Sequence, residues 1–395
     1  MKWETVRLAE LYEVHNGLSK GRESFGTGFP FLTFSTVFNY FFIPDELDSL
    51  VQSTEKEQKD YSIKRGDVFV TRTSETADEL GMSCVALKDY PHATYNGFTK
   101  RMRPVGDRVV PEYIGYYMRM PSFRNQFQAF STMTTRASLK NEDLLSLEIA
   151  LPSIEMQKEI AGILMAYDNL IENNQKQIKL LEEAAQRLYK EWFIDLRFPG
   201  HESTPIHDGI PEGWERKSLG QIAEVVMGQS PKSEYYNSEK EGLPFHQGVG
   251  SYGNRFVVDD IYSTSFTRIA AAGSILFSVR APVGRLNITR NKIVIGRGIA
   301  AMNHKESMQS LLFYMLKERF FKDNLVGNGS IFASISKDEL LGQAFIVPAP
   351  SIARQYNDIA SAIDKKIEAS DEEILKLTEA RDRLLPKLMS GEIEV

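Results

Sequence analysis

Residues 163–192, ILMAYDNLIENNQKQIKLLEEAAQRLYKEW, carry seam positions spaced alternately by four and three. Ile163, Tyr167, Ile171, Asn174, Ile178, Leu181, Ala185, Leu188 and Trp192 form a heptad seam, the pattern of a helix that pairs with another helix along its length. A shift of 196 residues lays this stretch on residues 359–388, IASAIDKKIEASDEEILKLTEARDRLLPKL. Ile359, Ile363, Ile367, Ser370, Ile374, Leu377, Arg381, Leu384 and Leu388 then take the matching positions. Pro152-Ser153 and Pro350-Ser351 mark helix starts, and Pro199-Gly200 and Ser390-Gly391 mark ends. Each helix is then about 55 Å long at ~1.5 Å per residue. A small domain does not cover a seam of that length, which predicts that the two helices pair with each other. Heptads leave the direction open, but a whole globular half lies between the helices, and an antiparallel pair closes most simply. Leu181 and Leu377, at equivalent positions, are expected to be buried against the opposite helix. Asn174 and Ser370 are the equivalent polar members: either a buried pair that fixes register or two groups facing solvent.

The repeat extends outward from the helices. At the same shift Ala137-Ser138-Leu139 falls on Ala333-Ser334-Ile335, Glu142-Asp143-Leu144-Leu145 on Asp338-Glu339-Leu340-Leu341, and Leu151-Pro152 on Val347-Pro348. At a shift of 211, Trp3, Leu8, Val14, Gly17 and Ser19 meet Trp214, Leu219, Val225, Gly228 and Ser230. The chain is a tandem duplication. It divides into a globular half at 1–150, a helix at 151–195, a linker at 196–212, a second globular half at 213–346, and a helix with its tail at 347–395. Both globular halves read as mixed α and β. Runs such as Val68-Phe69-Val70, residues 274–279 and Lys292-Ile293-Val294-Ile295 suit strands, and 112–120 and 308–321 suit helices.

Composition narrows the function. The chain is 42% hydrophobic and 25% charged, as folded domains are, and no apolar run approaches the ~20 residues of a membrane helix. The start lacks a signal-peptide stretch, so a cytoplasmic protein is expected. A single cysteine, Cys84, excludes an internal disulfide framework and a Cys-rich zinc site, and is read as a core thiol. The six histidines form no cluster with metal-ligand spacing, and no phosphate-binding G-x-x-x-x-G-K-[ST] loop occurs. Neither the Asn-Pro-Pro-aromatic tetrapeptide of amino-methyltransferases nor a nuclease carboxylate–lysine set is present, and Asp371-Glu372-Glu373 is read as a solvated helix face.

Overall charge does not announce a nucleic-acid binder, with 47 Lys+Arg against 53 Asp+Glu. Each globular half nevertheless holds a basic stretch. Lys100, Arg101, Arg103, Arg108, Arg119, Arg124 and Arg136 form one; Arg255, Arg268, Arg280, Arg285, Arg290, Lys292 and Arg297 form the other. The planar fork of arginine suits phosphates and guanine edges. One such stretch reads most simply as a solvated face. Two, in duplicated domains joined by long helices, suit a DNA site in two parts.

Several local signatures resemble the specificity subunits of type I restriction-modification systems. They are Gly209-Ile210-Pro211-Glu212-Gly213-Trp214, residues 273–284 (GSILFSVRAPVG), residues 66–74 (GDVFVTRTS), Leu151-Pro152 followed by Glu155 and Gln157, and the ending 384–393 (LLPKLMSGEI). Their order and duplication cover nearly the whole chain. The resemblance implies an α+β fold: two duplicated mixed α/β target-recognition domains separated by two long helices forming an antiparallel coiled coil. It further implies that each domain reads one part of a split, asymmetric double-stranded DNA sequence, while the coil sets the gap. Two methyltransferase subunits would dock on this scaffold, and restriction subunits can join them in phage defence. S-adenosylmethionine, ATP and Mg would act in those partners, with no cofactor, metal or catalytic residue in this chain.

The DNA-reading candidates are basic, amide or hydroxyl residues on turns beside the matched strands. In the first half they are Thr71, Arg72, Ser74, Lys100, Arg101, Arg103, Arg136 and Ser138. In the second they are Gln229, Ser230, His246, Gln247, Ser278, Arg280, Arg285, Arg297, Ser330 and Ser334, with His246 equally readable as a packing residue. Arg or Lys would fork onto guanine and Gln onto adenine, most contacts going to phosphate. Outward helix residues Gln175, Lys179, Glu182, Asp371 and Glu372 are expected to meet the partners. Two other classes stand beside this reading: a nuclease or methylase in its own right, and a structural coiled-coil adaptor that does not bind DNA. The missing catalytic motifs count against the first and the paired basic stretches against the second.

Overall fold

The structure, a computed structural model, describes residues 3–74, 80–130, 137–320 and 334–395. The chain forms two compact units, Met1–Asn173 with Glu373–Val395, and Asn174–Glu372. Each contains one globular half and one end of each long helix.

The long helices are Ile154–Phe193 and Pro350–Ser390. In the first unit the beginning of the first helix packs with the end of the second, through Leu164, Leu385, Leu388 and Met389. In the second unit the end of the first packs with the beginning of the second, through Ala185, Tyr189, Tyr356 and Ala360. The pairing is therefore antiparallel. Ile359 departs from the heptad reading: it is 43% exposed, and Tyr356 and Ala360 carry the seam there. Leu181 and Leu377 are only half-buried. Among the other seam positions Ile171, Ala185, Trp192, Ile367 and Leu388 are buried, and Ile163, Tyr167, Ile178, Leu188, Ile363, Ile374, Arg381 and Leu384 are half-buried. Asn174 and Ser370 are both buried, and the Ser370 hydroxyl has no hydrogen-bond partner.

The helix ends have local causes. The first helix stops at Phe193, short of Pro199, because Phe198 turns back to lie 4.9 Å from the Trp214 ring and is buried there. The second runs through Pro386 and ends where Gly391 takes a φ of +72°; a side chain there would also come within 3.2 Å of Trp3. The Leu-Pro entry to the first helix is fixed by Gln157, fully buried, which accepts from the Val110 amide and donates to the Arg108 and Pro152 carbonyls.

Each unit repeats one topology. In the first, an antiparallel sheet runs Tyr12–Asn16, Thr99–Pro104, Val68–Thr71, Ser83–Val85. In the second it runs Ala223–Met227, Ile299–His304, Ile275–Ser278, Leu286–Ile288. The central strands Val68–Thr71 and Ile275–Ser278 are buried at every position, which is why they read as unbroken apolar runs rather than alternating ones. A second sheet in each unit contains a parallel pair, Phe25–Leu32 with Thr94–Tyr95 and Leu243–His246 with Ile293–Ile295. A two-stranded ribbon ties the start of each half to its helix entry, Glu4–Arg7 with Glu148–Leu151 and Glu215–Ser218 with Ala344–Val347.

Candidate functional site

In each unit the parallel pair brings three loops together. In the first unit they are Gly17-Leu18-Ser19, Leu32-Thr33 and Asn96-Gly97-Phe98. The Leu18 amide donates to the Tyr95 carbonyl (2.9 Å), Asn96 to Leu32 (3.0 Å), Gly17 to Thr99 (3.2 Å) and Arg72 to Phe98 (3.0 Å). In the second they are Gly228-Gln229-Ser230, His246-Gln247 and Gly296-Arg297-Gly298. Four bonds correspond one to one: Gln229 to Ile295 (2.9 Å), Gly296 to His246 (2.8 Å), Gly228 to Ile299 (2.9 Å) and Val279 to Gly298 (2.9 Å). The same close approach underlies both frames. A Cβ on Gly17 would sit 2.0 Å from the Asn96 carbonyl oxygen, and one on Gly228 would sit 2.1 Å from that of Gly296. Only glycine lets the strands cross so tightly.

The frames agree and their side chains do not. In the second unit Gln229, Gln247 and Arg297 are exposed on the three loops, and the Ser230 hydroxyl accepts from the Arg297 amide at 3.2 Å. Arg280, also exposed, pairs through its backbone with the exposed Ser334. Behind Gln247, His246 is fully buried between Ser251 Oγ (2.7 Å from Nδ1) and Asp259 Oδ1 (2.9 Å from Nε2). The imidazole hydrogen bond holds the Asp259 carboxyl below the usual carboxylate range. In the first unit Leu32 stands in place of His246, Thr33 in place of Gln247, and Phe98, 58% exposed, in place of Gly298.

Several residues singled out from sequence are engaged inside the framework of their own unit. Thr71 and Ser278 are buried; Thr71 accepts from the Met82 amide, and Ser278 donates to the Pro282 carbonyl and accepts from the Arg285 amide. Lys100 is buried against Asn16 and Asn141, and burial, then Arg72, hold its ammonium below the ordinary lysine range. Arg101, also buried, donates to the Ser62 carbonyl (2.7 Å), and Arg103 forks onto Asp67 at 2.7 and 2.6 Å. Arg72 is half-buried, with its Nε lacking a partner. Ser74 and Ser138 lie in the short Thr73–Ser74 and Ala137–Ser138 ribbon. Arg285 is exposed. Arg136 and Ser330 lie outside the described residues. Cys84 is a buried thiol, pushed up to about 12 by burial.

The basic stretches also change meaning. Arg255, with 2% of its side chain exposed, bonds Glu182 and Asp364 of the two long helices, and Arg290 bonds Asp371. Glu182 and Asp371 are therefore turned to arginines of their own unit rather than outward, whereas Gln175, Lys179 and Glu372 are exposed. Arg119 donates to four backbone carbonyls, and burial lowers its guanidinium to about 10. Among the described residues no group of three His, Cys, Asp or Glu side chains could hold a metal ion, and no helix is long and apolar enough to cross a membrane.

Comparison with known proteins gives concordant matches. A family model described as the type I restriction modification DNA specificity domain matches residues 1–183 and again 211–379. The "Putative type I restriction enzyme MjaX specificity subunit" of Methanocaldococcus jannaschii is 30% identical over 404 residues, spanning 100% of this chain and 94% of its own length. The MjaIX specificity subunit of the same organism is 28% identical over 412 residues, with the same coverage. The crystal structure of a type I restriction-modification S subunit from M. genitalium aligns with a TM-score of 0.61, covering 98% of this chain and 96% of that one at 15% identity, a likeness of fold.

Proposed function

This chain belongs to the DNA specificity family of type I restriction-modification systems, and we propose that its two units each read one part of a bipartite, asymmetric DNA sequence. The observation that carries this reading is the duplicated three-loop frame: one backbone arrangement, held by matching hydrogen bonds, presents different side chains in each unit. Gln229, Gln247, Arg280 and Arg297 are the readers in the second unit. Their amide and guanidinium groups suit adenine and guanine edges in the major groove. Arg268, Arg285 and Lys292, also exposed, supply phosphate contacts. The paired helices set the unspecified gap and, with the exposed Gln175, Lys179 and Glu372, take part in docking methyltransferase subunits.

Catalysis belongs to those partners. They bind S-adenosylmethionine, and restriction subunits where present use ATP and Mg; this chain positions the target base for the partner pocket.

The test exchanges residues 1–152, cut after the Glu148–Leu151 strand, for the corresponding part of another family member, with the methylated sequence then read from the genome. One part of the methylated motif changes and the other stays. A simultaneous change in both parts would refute independent reading by the two units.

A further inference from the structure

Phe98 is an exposed aromatic ring on a loop with little freedom. Its amide donates to Asn96 Oδ1 at 2.7 Å, its carbonyl accepts from the Arg72 amide, and Thr99 closes the turn with its amide (3.0 Å) and hydroxyl (2.7 Å) on the Asn96 carbonyl. A ring held this way, 58% exposed, contributes little to the core of its own unit. It borders a cleft of about 680 Å³ with an apolar wall of Leu18, Phe25, Phe31 and Leu50 and a polar side that includes Ser19, Ser49 and Asn96. Phe25 is itself 40% exposed, 5.4 Å from the buried Phe31 ring. Lys20, the cation at this cleft, is paired with Glu57 at 2.7 Å, and Asp48 is the acidic group at its edge. With its cation already paired and an acid at its edge, the cleft is a poor phosphate site, and its aromatic wall suits an apolar group.

On the reading that each unit recognises DNA, we propose that this cleft recognises thymine, with Phe98 packing on the 5-methyl group of one thymine in the major groove. The methyl is the one apolar feature by which a base pair is distinguished at that edge. The second unit, on the same backbone frame, has Gly298 where Phe98 stands and offers Gln247 and Arg297 instead. It reads its own part of the sequence by hydrogen bonds, where the first unit uses contact with a methyl group.

The experiment uses the full chain with its methyltransferase subunits, on duplexes carrying the methylated sequence with deoxyuridine replacing each thymine singly. Uridine lacks the methyl and keeps every hydrogen bond. Exchange of residues 1–152 assigns the half-site. At one position within it, wild-type binding weakens about fourfold, the value of one buried methyl, and F98A loses that sensitivity while recognition of the other half-site is unchanged. F98L retains apolar contact and keeps most of it, which separates loss of contact from loss of folding. A half-site with no thymine on either strand overturns the proposal, as does wild-type indifference to deoxyuridine or a sensitivity that persists in F98A. Indifference to deoxyuridine together with a defect in F98A would mark the ring as a wedge between base steps. Absence of any sequence-dependent methylation would overturn DNA reading itself and this inference with it.

Discussion

Both units hold an aspartate of a long helix at the same repeat position and satisfy it with different partners. Asp168 accepts from the Tyr116 hydroxyl and from Arg381, which lies on the other long helix. Asp364, 196 residues later, accepts from the Tyr314 hydroxyl at 3.0 Å and from Arg255, which belongs to the globular half. The tyrosine is common to both, and the arginine reaches the same carboxylate from two unrelated places. The loop frames show the same division: the glycine crossings coincide, while Leu32 faces His246 in the comparison and Phe98 faces Gly298. What backbone geometry requires is duplicated, and what a side chain can supply from several directions has diverged.

The largest test of that contrast is loss of each arginine. Arg255 is almost wholly buried, its guanidinium 4.0 Å from the Phe313 ring centre, and its removal leaves Glu182 and Asp364 facing each other without their cation. Arg255→Leu should cost about 3 kcal/mol in the second unit. Arg381 has 16% of its side chain exposed, and one of its two partners, Asp382, is mostly in water. Arg381→Leu should cost about 1 kcal/mol in the first unit. Trp192 and Trp214 lie in the second core and Trp3 packs against the first. Urea unfolding followed by fluorescence in variants keeping one tryptophan therefore reports each unit. Equal costs would mean that the direction from which the cation arrives does not matter.

A sharper test addresses what the units share. Gly17→Ala and Gly228→Ala each drive a Cβ to about 2 Å from a carbonyl oxygen, and relief requires the loops to part at a cost of about 2 kcal/mol. The two substitutions should be equally harmful, and, on the proposed two-part reading of DNA, each should degrade only its own part of the methylated motif. If one glycine tolerated alanine, the frames would not be equivalent in function.

The equivalence of these glycines was visible in the sequence at the 211-residue shift, and the antiparallel helices followed from the seam and the intervening half. The reason for the glycines was not visible, since the carbonyls they approach lie 79 and 68 residues away, at Asn96 and Gly296. The charges misled for the same cause. Arg255 and Arg290 belong to a stretch with few local acids, yet their counterions come from helices far along the chain. Phe98 escaped notice because one aromatic in a turn has no periodicity. Its signal was the Asn96-Gly97 turn before it, legible only after the two frames are aligned.

The smallest expected effect concerns the buried histidine that only the second unit has. Asp259 is held below the ordinary carboxylate range first by its hydrogen bond to His246, then by Asn291 and the nearby Arg290. A carboxyl with a depressed folded pKa stabilises the fold fully above its unfolded value, near 4, and that contribution disappears as pH falls through the lower folded value. With 20% of the Asp259 side chain exposed, the effect should stay below about 1 kcal/mol. Asp259→Asn removes the titration and keeps a polar group of the same shape. The stability difference between wild type and this variant, read from the Trp214 transition, should be largest at pH 6 and shrink toward pH 3. The Trp3 transition should show no difference at either pH, because Leu32 replaces the imidazole in the first unit. A difference that grows on acidification would have the wrong sign and would separate Asp259 from the stability of the Gln247 loop.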